Sequence, residues 1–311
     1  MRVELLSLYG WLVTAMAALP VCAQQPVVQL MPDASFDHGF AVVRPLTYTN
    51  EPNVDTLDFY IPGKQPRWNL IQWNTRYTFK NPKRRASRHA IVYQNRTKRV
   101  TLTEDHELTL EIKASKEYLQ PRKYGEPWPH LLIEQPFANA HVHLNKYSRL
   151  TVSFDLRLDY CRNGMAKGTY DSGLHAGQTP FYFYVINVNA ESEGYRDAVW
   201  LGIPSYDSRE KGTSDQRHYQ WDIGTSTYIY TISTREAWGD VDFLDHQWHS
   251  TSVDVLALLR DAISKLQANG YFQHTRLEDM AILSMNFGWE MPGSFDGAVS
   301  IRRLSLEGVE K

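Results

Sequence analysis

From Leu150 to Leu158 apolar and polar side chains alternate without a break. Leu150, Val152, Phe154, Leu156 and Leu158 fall on one side, and Arg149, Thr151, Ser153, Asp155 and Arg157 on the other. A period of two marks a strand with one face in a core and one in water. Leu108, Leu110 and Ile112, set against Thr109, Glu111 and Lys113, repeat the pattern. The stretch FYFYVINV (181–188) is apolar on both faces and predicts a central strand covered on both sides. TYIYTI (227–232) and MAILSMNF (280–287) predict further strands. In GAVSIRRLSL (297–306) the phase changes at Arg302-Arg303, which predicts a bulge. One helix interrupts the series. Val255, Leu258, Leu259, Ala262, Ile263 and Leu266 recur at helical spacing, with Ser or Thr caps expected near 250–252 and Gly270 closing the element. Residues 26–90 are the least regular and predict an edge strand with long loops, or a small leading subdomain. Together these signals predict an all-β fold. It is a jelly-roll β-sandwich of two antiparallel sheets with one peripheral helix at about 250–270, in a single domain over 24–311.

Residues 1–23 stand apart. Arg2 supplies a positive start, Leu5 to Val21 is apolar, and Val21-Cys22-Ala23 ends in small residues before Gln24. This is the pattern of a secretory signal peptide cleaved after Ala23, and it predicts a secreted or periplasmic protein. Cys22 as a lipid-bearing cysteine is the alternative, for which Val21 is a poor neighbour. After cleavage Cys161 is the sole cysteine, so no intrachain disulfide can form and the fold must rest on its core. No later segment is long and apolar enough to span a bilayer. The net charge of -2 offers no basic field for nucleic acid. Aromatic residues make up 13% of the chain, which suits a β-protein with aromatic surfaces.

Four stretches could carry chemistry. YGEPWPHLLIEQPF (124–137), just after Arg122, holds Trp128, His130, Glu134 and Gln135. On an extended segment Trp128, His130, Leu132 and Glu134 share one face. There Trp128 could stack on a sugar while Glu134, Gln135 and Arg122 bond its hydroxyls; the bland reading is a strand end whose Trp128 and Leu131–Ile133 plug the core. The second cluster joins Trp200, Tyr206, Asp207 and Arg209 to Trp221 and Asp222. Asp222-Ile223-Gly224-Thr225 also reads as a turn whose Asx side chain bonds the backbone. The third, NFGWEMPGSFDG (286–297), sets Trp289 and Glu290 before a Pro292-Gly293 turn, either as a pair at the mouth of the sheet or as a hairpin with a packed Trp. In the fourth, His175 and Gln178 lead into the strand where Tyr182 and Tyr184 share a face.

No metal set emerges: His141 and His143 make at most a half-site, and no third ligand matches them. No cofactor fingerprint is present, neither a P-loop nor a dinucleotide-binding glycine run. Gly-x-Ser-x-Gly and His-Glu-x-x-His are absent too. So are the Glu-x-Asp-x-x-Glu strand of laminarinase-like hydrolases and the paired signatures of jelly-roll alginate lyases. KNPKRRASRH (80–89) is a basic run, which reads as a solvated loop or as an attractor for an acidic polysaccharide. Asn95-Arg96-Thr97 matches a glycosylation acceptor.

The strands at 150–158 and 181–188, with the closing NFGWEMPGSFDGAVSIRRLSLEG, resemble the concanavalin A-like lectin/glucanase group of secreted bacterial jelly rolls over about residues 90–311. The resemblance is architectural; it implies the fold and a bias toward glycans, and transfers no catalytic residue. Three functions follow for comparison. The first is a polysaccharide-binding protein with an aromatic-lined groove. It would use Arg122, Trp128, Gln135, Gln178, Tyr182, Asp207, Trp221, Trp289 and Glu290. The second is an enzyme with Glu134, His130 and Asp222 as its catalytic candidates. A hydrolase would hold two of Glu134, Asp207, Asp222 and Glu290 about 5–9 Å apart. A lyase would use His130 or Tyr182 as base and Arg122 against a uronate. The third is a surface-assembly protein whose aromatics are all core.

Overall fold

The computed structural model describes residues 26–45, 53–137, 141–222 and 224–311. The signal-peptide assignment and the Cys22 alternative fall on residues 1–25, outside the described residues.

Short strands open the chain: β1 (Val27–Gln29), β2 (Phe40–Val42), β3 (Asp55–Leu57), β4 (Trp68–Ile71), β5 (Lys83–Ala86), β6 (Ala90–Gln94), β7 (Lys98–Thr103) and β8 (Leu108–Lys113). After a single turn of helix, α1 (Ala114–Glu117), come β9 (His130–Pro136), β10 (Val142–His143), β11 (Tyr147–Asn163), β12 (Gln178–Asn187), β13 (Ala198–Asp207), β14 (His218–Asp222) and β15 (Thr227–Thr231). The chain ends with α2 (Thr234–Trp238), β16 (His249–Asp254), α3 (Val255–Ala268), β17 (Met280–Glu290) and β18 (Phe295–Glu310). Sheet A runs β16-β11-β18-β8-β7-β6-β5, with β1 also on β18. Sheet B runs β14-β15-β13-β12-β17-β9-β4-β2-β3, with β10 also on β17.

The all-β sandwich with one long helix is what the alternation predicts. Leu150, Val152, Phe154, Leu156 and Leu158 of β11 are all buried against the second sheet. Phe154 stacks on Phe181 of β12 at 4.8 Å between ring centres, and the Trp289 indole of β17 donates to the Leu110 carbonyl of β8 at 3.0 Å. Burying each such side chain is worth about 1.5–3 kcal/mol, and with Cys161 unpaired this core holds the fold. The predicted bulge is present: the β11–β18 register skips between Ser153 and Asp155, and Arg303 takes a positive φ of 52°. The extra residue turns both Arg302 and Arg303 onto the buried Asp155 carboxylate.

Several expectations change. Two pairings are parallel, β2 with β4 and β13 with β15, in otherwise antiparallel sheets. The leading segment supplies strands to both sheets and places Phe36, Phe40, Leu57, Trp68 and Leu70 in the core. The Pro292-Gly293 turn joins β17 to β18 across the two sheets, so it is a crossover and not a hairpin. Residues 249–254 are a strand, and the cap of α3 is Asp254, whose carboxylate accepts from the Leu256 and Ala257 amides. Gly270 follows α3 with φ +85°, the left-handed position that favours glycine. The second face of β12 lies under no further layer, and Tyr182 and Tyr184 are half-buried on it. No helix among the described residues is long and apolar enough to cross a membrane.

Candidate functional site

Strand register assembles two polar rows on the outer face of sheet B. Asn69 pairs with Glu134, Glu134 with Asn286, Asn286 with Tyr182, Tyr182 with Gly202, Gly202 with Thr231 and Thr231 with His218, so seven strands contribute to one line. Toward one end of the strands, His130 pairs with Glu290, Glu290 with Gln178 and Gln178 with Asp207. Because side chains alternate, residues in register share a face. A groove of about 570 Å³ opens over β12 to β15, and Arg122, Trp128, Gln178, Tyr182, Asp207 and His218 line it. Gly202 leaves its middle open: a Cβ there would stand 2.6 Å from Thr231 Oγ1 and 2.7 Å from the Tyr182 ring.

The second row is tied together by side chains. Arg209 Nε donates to Asp207 at 2.9 Å, an Arg209 terminal nitrogen donates to Gln178 Oε1 at 3.1 Å, and Gln178 Nε2 donates to Glu290 Oε2 at 3.0 Å. In the first row Asn69 Nδ2 donates to Glu134 Oε2 at 2.9 Å. Burial pushes the Glu134 carboxyl above its usual range, and the Asn69 bond opposes this only in part. Burial also pushes the Tyr182 phenol up, with the Glu290 charge adding to it. His130 sits between Trp73 and Trp128, at 5.6 and 5.7 Å between ring centres. Its burial lowers the imidazole pKa against the pull of Glu290.

Arg122 lies 4.6 Å from the Trp128 ring centre. Its Nε donates to the Glu126 carbonyl at 2.7 Å. His175 steadies this loop from below. Its Nδ1 accepts the Asp171 amide, so Nε2 carries the proton and donates to the Arg122 carbonyl at 2.8 Å. Three polar atoms beside the groove are buried without a hydrogen-bond partner: Trp128 Nε1, a donor, Asn286 Oδ1, an acceptor, and His130 Nδ1.

Eight of the residues picked from sequence therefore share this face: Arg122, Trp128, His130, Glu134, Gln178, Tyr182, Asp207 and Glu290. Four others lie elsewhere. Trp289 is fully buried between the sheets, because it alternates with Glu290 and so points the opposite way. Gln135 likewise points inward beside Glu134 and is fully buried, its amide unpaired. The Asp222 carboxylate is spent on the Gly224 and Thr225 amides and the Thr225 hydroxyl, an Asx turn at the far end of β14. Trp221, half-exposed, turns from the groove-lining side of β14 and packs edge-on against Tyr228.

The sequence patterns did not single out Asn69, Asn286, Gly202, Thr231 or His218 as site residues, and Arg209 stood only among the second cluster. A lone amide inside an apolar strand, as in WNLI and SMNF, was the available signal for the first two. Among the described residues no group of three or more His, Cys, Asp or Glu is placed to hold a metal ion.

No protein-family profile and no curated protein matches the chain. Solved structures do. An endoglucanase from Rhodothermus marinus aligns over 72% of this chain and 95% of its own, at 12% identity and a TM-score of 0.37. For a family 12 xyloglucanase from Bacillus licheniformis in complex with ligand the figures are 73%, 97%, 12% and 0.39. For a metagenome-derived family 12 glycoside hydrolase, an endoglucanase, they are 78%, 99%, 11% and 0.41. With every TM-score below 0.5, these likenesses carry no argument about what this chain binds or does.

Proposed function

We propose that the protein binds a polysaccharide chain in the groove on the outer face of sheet B, and that residues 1–23 direct it out of the cytoplasm to meet one. The observation that carries this is the set of buried, unpartnered atoms beside the groove, Trp128 Nε1, His130 Nδ1 and Asn286 Oδ1. Buried polar atoms are nearly always bonded, and an orphan calls for a missing partner. A sugar hydroxyl both accepts and donates, so it can satisfy an indole N–H or an amide oxygen. The ring faces of Trp128 and Tyr182 suit the C–H face of a pyranose, while Gln178, Asp207 and His218 offer mixed donors and acceptors around them. A groove of this size with few convergent polar groups is the usual form of a ligand site.

Hydrolysis is the second reading, favoured by one observation. Glu290 and Asp207 flank Gln178 two strand spacings apart, about 10 Å between Cα atoms, close enough for their side chains to set the carboxyl groups at a hydrolase spacing. Against it, Asp207 is already held by Arg209. Glu134 and Glu290 lie four residues and one strand apart, about 14 Å between Cα atoms, so only side chains leaning toward one another along the strands would bring their carboxyl groups to a hydrolase spacing. The lyase reading is weaker: Arg122 is committed to carbonyl oxygens, and the raised pKa of the Tyr182 phenol keeps it protonated, so the phenolate that would act as base is scarce.

Affinity electrophoresis of the mature chain in gels containing β-glucan, xylan, xyloglucan or mannan tests the proposal. Retardation by at least one glycan, reduced about tenfold in affinity by Asn286→Ala, is expected. Failure of every glycan to retard the protein overturns it. New reducing ends, lost on Glu290→Gln, would establish the second reading instead.

A further inference from the structure

The groove leaves unused the most uneven stretch of charge in the molecule. Residues 80–103 contain eight Lys or Arg and no Asp or Glu, in a chain whose net charge is only -2. Three of the eight lie beyond β5 and its turns: Lys98 pairs with Glu117, Arg99 with Glu111, and Arg96 lies over the Tyr77 ring. The other five, Lys80, Lys83, Arg84, Arg85 and Arg88, are all exposed, and none has a carboxylate partner among the described residues. They stand on and beside β5, the outermost strand of sheet A. Lys83 and Arg85 point to one side of the strand; Arg84 points to the other, over the Tyr93 ring. Asp55, the carboxylate next to Asn81, is taken up by the Thr56 and Asn81 amides.

We infer that β5 and its flanking turns form a second binding surface, for a polyanionic polysaccharide bearing carboxylates or sulfates. Cations on an edge strand also discourage edge-to-edge pairing. Five on both flanks, with no acid in the same stretch, create a local positive field that a neutralised edge would not have. The shape favours a chain over a membrane. The charges follow a narrow ribbon, roughly 10 Å along the strand itself, and project to both of its sides, so they cannot all meet one plane. The surface lies on sheet A, whereas the groove belongs to sheet B, so the two can be tested separately.

Retardation of the full mature chain by polygalacturonate and by dextran sulfate, with neutral dextran and vesicles of phosphatidylglycerol as comparisons, tests this. At low salt at least one polyanion should slow the protein, and the effect should collapse between 50 and 500 mM NaCl, as the Debye length shortens from about 14 Å to about 4 Å. The polyanion that acts identifies the anion. Lys83→Glu combined with Arg85→Glu should weaken that binding at least tenfold, while leaving the melting temperature and any neutral-glycan binding in the groove unchanged. The inference is overturned if no polyanion slows the wild type, if the double variant is slowed equally, or if the vesicles bind and the polyanions do not.

Discussion

Asn69 on β4 donates its amide to Glu134 on β9 across the strand pairing, at 2.9 Å, and among the described residues this is the one hydrogen bond that supports the Glu134 carboxyl. Burial outweighs it and raises the Glu134 pKa. A carboxyl whose pKa rises on folding binds its proton more tightly in the folded state. Its contribution is therefore most favourable below the unfolded pKa, about 4.3, and is lost as pH rises through the folded value. Glu134→Gln removes this penalty and keeps an oxygen for Asn69 to reach. The variant should melt higher than the wild type at pH 7–8, and the gap should close by about pH 4. Parallel melting curves across that range would show that Glu134 is not desolvated as described.

Trp128 separates stacking from hydrogen bonding in the groove. Trp128→Ala removes the ring that Arg122 covers on one side, and should cost about 2 kcal/mol of glycan binding, roughly thirtyfold. Trp128→Phe keeps an aromatic face and loses only the N–H. Its affinity should fall about five- to tenfold, the worth of one hydrogen bond. Since Nε1 has no partner in the free protein, Trp128→Phe should leave thermal stability unchanged or slightly raised. A clear fall in melting temperature would mean that Nε1 already bonds something in the unliganded state. Titration calorimetry with the best glycan reads the affinities.

Gly202 is the floor beneath Tyr182. A methyl group there would meet both the Thr231 hydroxyl and the Tyr182 ring well inside contact distance. Its strand neighbours Leu201 and Ile203 face the core and are fully buried. Gly202→Ala should therefore displace Tyr182 and weaken glycan binding by about tenfold or more, while the near-ultraviolet dichroism of the core changes little. Equal affinity would place Tyr182 outside the bound chain's footprint.

How much of this could be read beforehand depended on period. In β11 and α3 one repeat runs long enough to fix the element and its buried face. In the leading strands β2 to β4, runs of three or four residues give no period to count, although Phe40, Leu57 and Trp68 are core. The same alternation divides the site. It sets Glu134 and Glu290 outward and, one residue on or back, sends Gln135 and Trp289 inward. Composition marks such segments as interesting without saying which neighbour faces the groove. The rows themselves depend on register between strands far apart in sequence: Asn69 meets Glu134 only through β4–β9 pairing, and no local pattern encodes that.

The ion pair of Lys98 with Glu117 holds the loop that carries Trp73 against His130. Both side chains are fully buried, with 2.5 Å between Lys98 Nζ and Glu117 Oε1. Glu117 also accepts the Thr75 and Thr97 hydroxyls and the Arg76 and Tyr77 amides, so its carboxylate organises residues 75–77 directly after Trp73. Removing one member strands the other charge, and Lys98→Met should cost about 3–5 kcal/mol in denaturant unfolding. Apolar replacement of both members often restores stability in buried pairs. Here it should not, because Lys98→Met with Glu117→Leu leaves two hydroxyls and two amides without their acceptor, each costing about 1–3 kcal/mol if still buried. A double variant as stable as the wild type would mean that these groups find water instead, and that the loop bearing Trp73 does not depend on the carboxylate.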